Sequence, residues 1–422
     1  MINTRIQHEN KSDPQFECGR ALIVWIRSAM LWFRQSLRRC LDHININQWV
    51  RIRVVHSYPS TCLLWSCWTA FLYTTMTALK PCDMVAFCKR MPKIELHAHL
   101  NGSVSRETIR HLISMQPSNA TLQADFATFE KQCSLTSIHS FFPLFKFVYA
   151  VSNCIANVRY ITRQVIVEFS TDGCEYLELR STPRSNPETD LVSKRTYIEA
   201  CLAGTKDAIE MLKGAIQVRW ILSLDRRHSL EDGLETVQLA KEFMDQGVVG
   251  VDLCGEPSAG NFKDLEPAFI QAREAGLKVT LHVAEIKNHE QETRDMIHFM
   301  PDRIGHGTFL KDALREHVVD NAIPIEACVT SNLLCKTVER IEDHHFNGFY
   351  FEGHPCIPCT DDKGVFQCTL SSEYSLIANH FNMSKLDVIT MVQLGIDHIF
   401  ANEETKEQLR AKVLKFKLDE KV

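Results

Sequence analysis

A pair of histidines stands in the run Ile-Glu-Leu-His-Ala-His-Leu at residues 94–100. Side chains of an extended strand alternate between two faces, so His97 and His99 point to the same side, with Glu95 and Asn101 beside them. Two imidazoles on one face are typical of a metal site, but solvated histidines on a partly exposed strand show the same pattern. The pair alone leaves both interpretations open.

Three further polar groups follow other hydrophobic runs. His282 and Glu285 belong to the segment HVAE, His306 lies between two glycines, and Asp361 precedes Asp362. Each has an ordinary explanation as a core histidine, a helix-entry carboxylate, a turn residue or a helix N-cap. Together these imidazoles and carboxylates are the ligand types that suit zinc. Independent coincidences at four strand ends, with the His97 and His99 pair counted as one of them, are improbable. The set therefore predicts one metal site.

This set of residues suits the hydrolytic replacement of an amine on a heteroaromatic ring by oxygen. A metal lowers the pKa of bound water towards about 7 and so supplies a nucleophile at neutral pH. The reaction also needs an acid that protonates a ring nitrogen and a group that holds the water and moves its proton. Glu285 is placed for the first task, and His306 and Asp362 are placed for the second.

Eight Val/Ile/Leu-rich runs are predicted as strands and alternate with amphipathic stretches such as 232–246 and 263–275. The predicted strands are 94–100, 174–180, 217–223, 248–254, 277–283, 302–305, 323–329 and 355–360. This alternation predicts a (β/α)8 TIM barrel with extra helices between strands one and two. An open doubly wound sheet is the alternative, but no GxGxxG follows any predicted strand. In a barrel, side chains at the carboxyl ends of the strands meet at one mouth.

The composition limits the classes of function. The chain has 422 residues, of which 45% are hydrophobic and 23% charged, and its net charge is −5. These values are typical of a soluble globular protein and do not suit a protein that grips nucleic acid. We therefore expect a small-molecule partner. Sixteen cysteines without regular spacing or a cleavable signal pattern favour reduced thiols and a cytoplasmic location.

Residues 1–90 differ in composition from the rest, since they contain five of the six tryptophans and a single glycine. We predict an atypical N-terminal extension over 1–90, disordered or non-native, with Met84 or Met91 as the natural start. The deaminase domain then spans 91–422. The uncharged stretch 57–79 is long enough to cross a bilayer, but its many Ser and Thr residues make a membrane anchor the less favoured interpretation.

Ordered motifs over about residues 91–410 resemble the adenosine deaminase family, in particular its adenosine deaminase-like branch. The matching segments are MPKIELHAHLNGS (91–103), ELRSTPR (178–184), LDRR (224–227), DLCGEP (252–257), HVAE (282–285), RIGHG (303–307), TSN (330–332), CTDDKGVF (359–366) and SEY (372–374). The resemblance implies a (β/α)8 barrel, a monomer and one zinc ion per chain. It also implies removal of an amine or alkylamine from purine C6 of N6-methyl-AMP-like nucleoside monophosphates.

The same resemblance assigns roles to individual residues. Zinc ligation is expected of His97, His99, His282 and Asp361. Glu285 is expected to donate a proton to purine N1, and His306 to orient and deprotonate the attacking water. Asp362 would help hold that water and contact the purine, and Gly255 would offer its backbone to the ring.

The substrate is indicated by Asn101, where true adenosine deaminases carry an aspartate that would repel a 5′-phosphate. Arg184 could bind the phosphate through charge-assisted hydrogen bonds. Tyr149 stands where the branch has a histidine, and it brings no positive charge. The other substrate-facing residues implied are His99, Ser181, Thr182, Pro183 and Asp225. Adenosine or adenine as the substrate, and a catalytically inactive metal-binding or interaction protein, are the alternatives.

Overall fold

The computed structural model describes residues 81–422 except 117–118, 132–136 and 141. A compact unit spans Ala78–Val422. The first 80 residues, which include the stretch 57–79 and most of the predicted extension, lie outside the described residues. Among the described helices, none combines the length and the apolar character that a bilayer crossing requires.

Eight parallel strands form one sheet in chain order. They are β1 (Lys93–His99), β2 (Cys174–Ser181), β3 (Gln217–Asp225), β4 (Val248–Cys254), β5 (Lys278–Val283), β6 (Arg303–His306), β7 (Ile325–Ala327) and β8 (Cys356–Pro358). Just beyond β8, the Asp361 N–H donates to the His97 carbonyl at 2.8 Å and its carbonyl accepts from the His99 N–H at 3.0 Å. These two bonds join the last strand to the first, and the predicted (β/α)8 barrel is confirmed.

Four α-helices lie between β1 and β2, as predicted: α2 (Arg106–Ser114), α3 (Ala120–Lys131), α4 (Pro143–Val151) and α5 (Ile155–Thr171), with a 3₁₀ turn at Ile138–Ser140. The later helices of the described chain are α6 (Lys194–Met211), α7 (Leu230–Glu242), α8 (Phe262–Glu274), α9 (Glu290–His298), α10 (Asp312–Asp320), α11 (Val329–Leu334), α12 (Phe346–Phe351), α13 (Lys363–Phe366), α14 (Leu370–His380), α15 (Lys385–Ile396) and α16 (Glu403–Asp419). Local sequence sets their ends. Ser193 and Thr196 form a capping box at α6, and Gly276, with φ +86°, follows α8.

The first described helix, α1 (Pro81–Arg90), precedes the predicted boundary at residue 91. Its side chains Met84, Phe87 and Cys88 are buried in the same hydrophobic core as the barrel. The Phe87 ring lies 5.3 Å, centroid to centroid, from that of Phe416 in α16. Residues 81–90 therefore pack with the barrel, although their composition resembles that of the preceding segment.

The interior of the barrel is polar, whereas many barrels fill it with branched apolar side chains. Five fully buried charged residues lie there: Glu178, Arg180, Asp252, Arg303 and Glu326. The Arg303 guanidinium pairs with Glu178 and, through Nε at 2.7 Å, with Glu326. Buried charges are costly unless they are paired and hydrogen-bonded. The presence of this network therefore suggests that it supports a functional site at the carboxyl end of the barrel.

Candidate active site

Four predicted metal ligands converge at the carboxyl end of the barrel. The ligand atoms of His97, His99, His282 and Asp361 all lie within 4.8 Å of one another. The Nε2 atoms of His99 and His282 are 3.1 Å apart. Asp361 Oδ1 lies 3.5 Å from Nε2 of both His97 and His99. Strands β1 and β5 and the turn after β8 therefore bring together three imidazoles and one carboxylate.

Three of the candidate ligands each contact a polar partner through an atom that does not face the ligand cluster. Glu326 Oε2 lies 2.7 Å from His97 Nδ1, and Asp252 Oδ1 lies 2.9 Å from His282 Nδ1. Ser331 donates to Asp361 Oδ2 at 2.7 Å. A carboxylate on the far nitrogen fixes the tautomer of a metal-binding histidine and leaves its Nε2 free to bind. The roles of Glu326 and Asp252 were not predicted, because each lies inside a hydrophobic strand run.

Unusual backbone conformations occur at three site positions. Ala284, His306 and Asp361 have φ values of 54°, 61° and 59°. Residues other than glycine rarely adopt this left-handed region, and such strain tends to occur at functional sites. Space is also tight: a Cβ on Gly305 would lie 2.7 Å from Cε1 of His97. Gly305 in the RIGHG segment therefore leaves room for a ligand ring.

The chemistry of this donor set fits a divalent cation. The buried His97 Nε2 has no hydrogen-bond partner among the described atoms. Burial and Arg180 lower the pKa of His97, but its contacts with Asp361 and Glu326 raise it to about 9. The imidazole therefore lies in a field that attracts positive charge.

Charge balance leads to the same conclusion. The connected buried network holds four carboxylates and two guanidinium groups: Glu178, Asp252, Glu326, Asp361, Arg180 and Arg303. Burial alone would raise the pKa of Asp252, Glu326 and Asp361, but neighbouring histidines and arginines hold the pKa of these three carboxyls below its usual range. With the histidines neutral, as metal ligation requires, the four carboxylates and two guanidinium groups leave two negative charges, which a divalent cation would balance.

The three predicted acid–base residues lie around the ligands. His306 Nε2 is 3.6 Å from Glu285 Oε1 and 4.0 Å from Asp361 Oδ2. Burial raises the pKa of Glu285 and lowers that of His306. Burial and the neighbouring Asp361 raise the pKa of Asp362 well above its usual value. The site thus favours a protonated Glu285 and a neutral imidazole at His306.

A cavity of about 300 Å³ opens above these residues. It is lined by most of the predicted substrate and catalytic residues: His99, Asn101, Tyr149, Ser181, Thr182, Asp225, Gly255, His282, Glu285, His306, Asp361 and Asp362. His97, Pro183 and Arg184 do not line it. His97 is fully buried below, and Pro183 is also buried.

A chain of hydrogen bonds connects Asn101, which lines the cavity, to Arg184, which does not. Asn101 donates through Nδ2 to Ser181 at 3.3 Å and to the Tyr197 hydroxyl at 3.2 Å. The Ser152 hydroxyl lies 3.4 Å from Asn101 Oδ1. Arg184 Nη2 donates to both the carbonyl and the hydroxyl of Ser152 at 2.7 Å. Asn101 is therefore part of the framework that fixes Arg184.

The Arg184 guanidinium lies between two aromatic rings. Its Cζ is 4.8 Å from the ring centroid of Tyr149 and 4.6 Å from that of Tyr197. Its Nη1 is buried and has no hydrogen-bond partner among the described atoms. Tyr149 therefore offers the guanidinium an aromatic surface in place of a positive charge, and one guanidinium donor lacks a partner among the described atoms.

A second arginine, Arg227, also lines the cavity. Its Nε donates to Asp225 Oδ1 at 2.8 Å and its Nη2 pairs with Oδ2 at 2.5 Å, while its side chain remains 59% exposed. A Cβ on Gly255, whose φ is +104°, would lie 2.8 Å from the same Oδ1. Asp225 is thus fixed between a guanidinium and a glycine. Arg227 belongs to the LDRR segment, but its role was not predicted.

Apolar side chains form another wall of the cavity. Ile138 and Phe142, which precede α4, and Phe145 within it line the cavity together with Cys335. These residues pack with Phe366 in a small hydrophobic cluster separate from the main core. The helices inserted between β1 and β2 therefore form part of the cavity wall.

The adjacent His344 and His345 lie in the segment between β7 and β8, where loop histidines are ordinarily solvated, but here both are hydrogen-bonded within the protein. His344 is 2% exposed, and its Nε2 lies 3.0 Å from Asn332 Oδ1. His345 Nε2 donates to the carbonyl of His306 at 2.7 Å. Burial lowers the pKa of His345 to about 4. His345 thus supports the strained backbone at His306.

Comparison with known proteins agrees with this geometry. The family model for adenosine deaminase matches residues 92–416. The chain belongs to the adenosine deaminase family. An N6-methyl-AMP deaminase from Bos taurus is 40% identical over 335 residues, which cover 77% of this chain and 94% of that relative.

Solved structures of adenosine deaminase family members support the same assignment. The crystal structure of an Arabidopsis N6-mAMP deaminase has a TM-score of 0.74 and 38% identity, covering 78% of this chain and 99% of that one. An Arabidopsis structure complexed with IMP gives 0.72 and 37%, with 78% and 97% covered. The predicted enzyme class is confirmed: this adenosine deaminase family member is a hydrolytic deaminase that acts on purine C–N bonds.

Proposed function

We propose that this chain is a zinc-dependent deaminase that removes the amine or alkylamine from purine C6 of N6-methyl-AMP-like nucleoside monophosphates. One observation carries the proposal: a single cavity is lined by the candidate ligands His99, His282 and Asp361, by Glu285 and His306, and by Asn101, which Ser152 connects to Arg184. In this proposal purine C6 lies at the candidate ligands and the 5′-phosphate points towards Asn101 and Arg184.

One zinc ion per chain would be held by His97, His99, His282 and Asp361. When bound, zinc supplies Lewis-acid activation of water at neutral pH. Glu285, which burial keeps protonated to higher pH, donates its proton to purine N1. His306, neutral through burial, orients the water and accepts its proton. Asp362 holds the same water and the purine edge, and Gly255 presents its backbone to the ring.

The preference for a nucleotide rests on the charge around Asn101 and Arg184. Asn101 is neutral, so it does not repel a 5′-phosphate. Arg184 has one buried donor without a partner among the described atoms, beside the cavity-lining Tyr149, and a shift of the guanidinium towards the cavity would let it form a charge-assisted hydrogen bond with a phosphate oxygen. Asp225 suits the ribose hydroxyls, and Ser181 and Thr182 line the same cavity. The relatives named N6-methyl-AMP deaminase and the Arabidopsis structure complexed with IMP support a nucleotide.

The N6 substituent has an apolar surface available. Ile138, Phe142, Phe145 and Cys335 line the cavity and can cover a methyl group. Burying one such group is worth about 0.8 kcal/mol, so the wall favours a methylated amine modestly. The cytoplasmic location and the monomeric state stay predictions from the sequence.

A substrate panel tests the proposal. The purified full chain would be assayed for amine release from N6-methyl-AMP, AMP, adenosine and adenine. We expect methylamine from N6-methyl-AMP, with kcat/KM at least about tenfold above that for adenosine, because a charge-assisted phosphate contact is worth about 1.5–3 kcal/mol. Faster turnover of adenosine or adenine would overturn the nucleotide assignment. An inactive, zinc-loaded chain would support a metal-binding protein instead.

A further inference from the structure

Arg180 occupies a central position below the candidate zinc ligands. It lies on β2 and is fully buried. Its Nη2 donates to the Leu96 carbonyl at 2.6 Å and to Glu326 Oε2 at 2.8 Å. Its Nη1 forms an ion pair with Asp252 Oδ1 at 3.4 Å. One guanidinium therefore joins two carboxylates that belong to different strands, β7 and β4.

The carboxylate oxygens that face Arg180 are the same atoms that hold two ligand histidines. Glu326 Oε2 lies 2.7 Å from His97 Nδ1, and Asp252 Oδ1 lies 2.9 Å from His282 Nδ1. Movement of Arg180 would change the orientation of both carboxylates and the positive charge that they face at once. The two histidine–carboxylate pairs are thus physically connected through one side chain.

We propose that Arg180 is a positioning residue that couples His97 to His282 and so sets the affinity and geometry of the metal site. This inference rests on the proposed zinc site. Only a planar guanidinium with two separate Nη groups can face both carboxylates, because a lysine ammonium is a compact point charge. Arg303 does not serve the same purpose, since it pairs with Glu178 and Glu326 but not with Asp252.

Replacement of Arg180 tests the proposal through metal binding rather than through turnover. Zinc affinity of the full-length Arg180→Met variant would be measured by chelator competition, and ligand geometry by the visible spectrum of the cobalt-substituted protein. We expect the zinc dissociation constant to rise about 10–100-fold, the usual cost of losing a group that supports a ligand. The cobalt spectrum should also shift. Arg180→Lys should recover only part of the affinity, because it retains the charge but not both contacts.

A matched control separates coupling from general loss of stability. Arg226 is another buried arginine, paired with Glu292 at 2.6 Å, but it contacts neither of the carboxylates behind the ligands. Arg226→Met should lower the melting temperature and leave the cobalt spectrum unchanged. If folded Arg180→Met retains wild-type zinc affinity and spectrum, the inference is wrong.

A double-mutant cycle keeps the test decisive even if Arg180→Met does not fold. Glu326→Gln and Asp252→Asn each remove one carboxylate, and coupling through Arg180 predicts that their effects on zinc affinity are not additive. Additive effects would overturn the inference while leaving the proposed function intact. A wild-type chain that binds no zinc would overturn both.

Discussion

The carboxyl group of Asp362 occupies the space where a side chain on Gly102 would lie. A Cβ on Gly102 would be 1.4 Å from Asp362 Oδ1 and 2.2 Å from Cγ. The Gly102 carbonyl in turn accepts from the N–H groups of Gly364 and Val365 at 2.9 and 3.1 Å. The loop after β1 and the turn after β8 therefore fit together only because residue 102 has no side chain, and this fit places Asp362.

Gly102→Ala should displace Asp362 and lower kcat/KM about 100-fold, the order of loss expected when a reacting group moves by about 1 Å. Zinc content should stay near one per chain, because the three atoms nearest the new methyl group all belong to Asp362 and none to a proposed ligand. Steady-state kinetics and metal analysis measure both quantities. Gly348→Ala is the matched control, since its nearest neighbour, Arg315 Nη2, lies at 3.5 Å. Equal activity of Gly102→Ala and wild type would contradict this role of the glycine.

Glu285→Gln should bind zinc normally and lose about 10²–10⁴-fold in kcat, because a neutral amide cannot donate a proton to N1. In the wild type, burial raises the pKa of Glu285. Its acid form therefore persists to higher pH than in water, and kcat/KM should fall as the pH rises through that raised pKa. Glu290→Gln, at an exposed position in α9, serves as the control. A Glu285→Gln variant with substantial turnover would exclude Glu285 as the acid.

Arg184→Met should raise KM for N6-methyl-AMP about 10–100-fold, since a hydrogen bond to a charged group is worth about 1.5–3 kcal/mol. The same variant should change kcat/KM for the nucleoside N6-methyladenosine by less than about twofold, because the nucleoside has no phosphate. Initial-rate kinetics with the two substrates measure the difference. A similar loss for both substrates would mean that Arg184 supports the fold and does not recognise phosphate.

Tyr149 should act through its ring and not through its hydroxyl. Tyr149→Phe keeps the surface that lies 4.8 Å from the Arg184 guanidinium, and KM for the nucleotide should stay within about twofold. Tyr149→Ala removes a cation–π contact worth about 0.5–1 kcal/mol and should raise KM about two- to fivefold. KM values for the two variants decide the matter. A large effect of Tyr149→Phe would show that the hydroxyl binds substrate directly.

Glu373 makes folding stability depend on pH. Burial raises the pKa of this carboxyl to about 7, although Thr330 opposes the shift. The folded chain therefore binds a proton that the unfolded chain, with an ordinary pKa near 4.5, has released. Stability from this group is complete below pH 4.5 and is lost as the pH rises through about 7. Urea unfolding of wild type and Glu373→Gln should diverge over this range by about 1–3 kcal/mol. Parallel pH profiles would contradict the shift.

The sequence was sufficient to predict the barrel, because strand and helix periodicities alternate clearly. It was also sufficient to find the candidate ligands, because each lies in a predicted strand or at its end. The residues that hold the ligands could not be found in this way. Glu326 and Asp252 lie within strands, where a single carboxylate gives no local signal, and their contacts with His97 and His282 are made between different strands. Only the register of the strands brings them together.

Two other features of the structure, the burial of His344 and the packing of α1, could not be predicted from local sequence for similar physical reasons. His344 is buried because the segment after β7 folds back over the site, which local polarity does not reveal. The helix α1 packs on the barrel through Phe87, although its composition matches that of the preceding segment. Composition describes what a segment contains, whereas its place in the fold depends on which distant surface it covers.

Zinc titration of turnover tests the central claim most directly. The chain would be stripped of metal by a chelator, and amine release from N6-methyl-AMP would be followed as zinc is added back. We expect negligible activity without metal, a rate that rises linearly with added zinc, and no further rise beyond one zinc per chain. His282→Ala should show no such saturation point, because a proposed ligand is lost. Full activity of the metal-free chain would contradict a zinc-dependent deaminase.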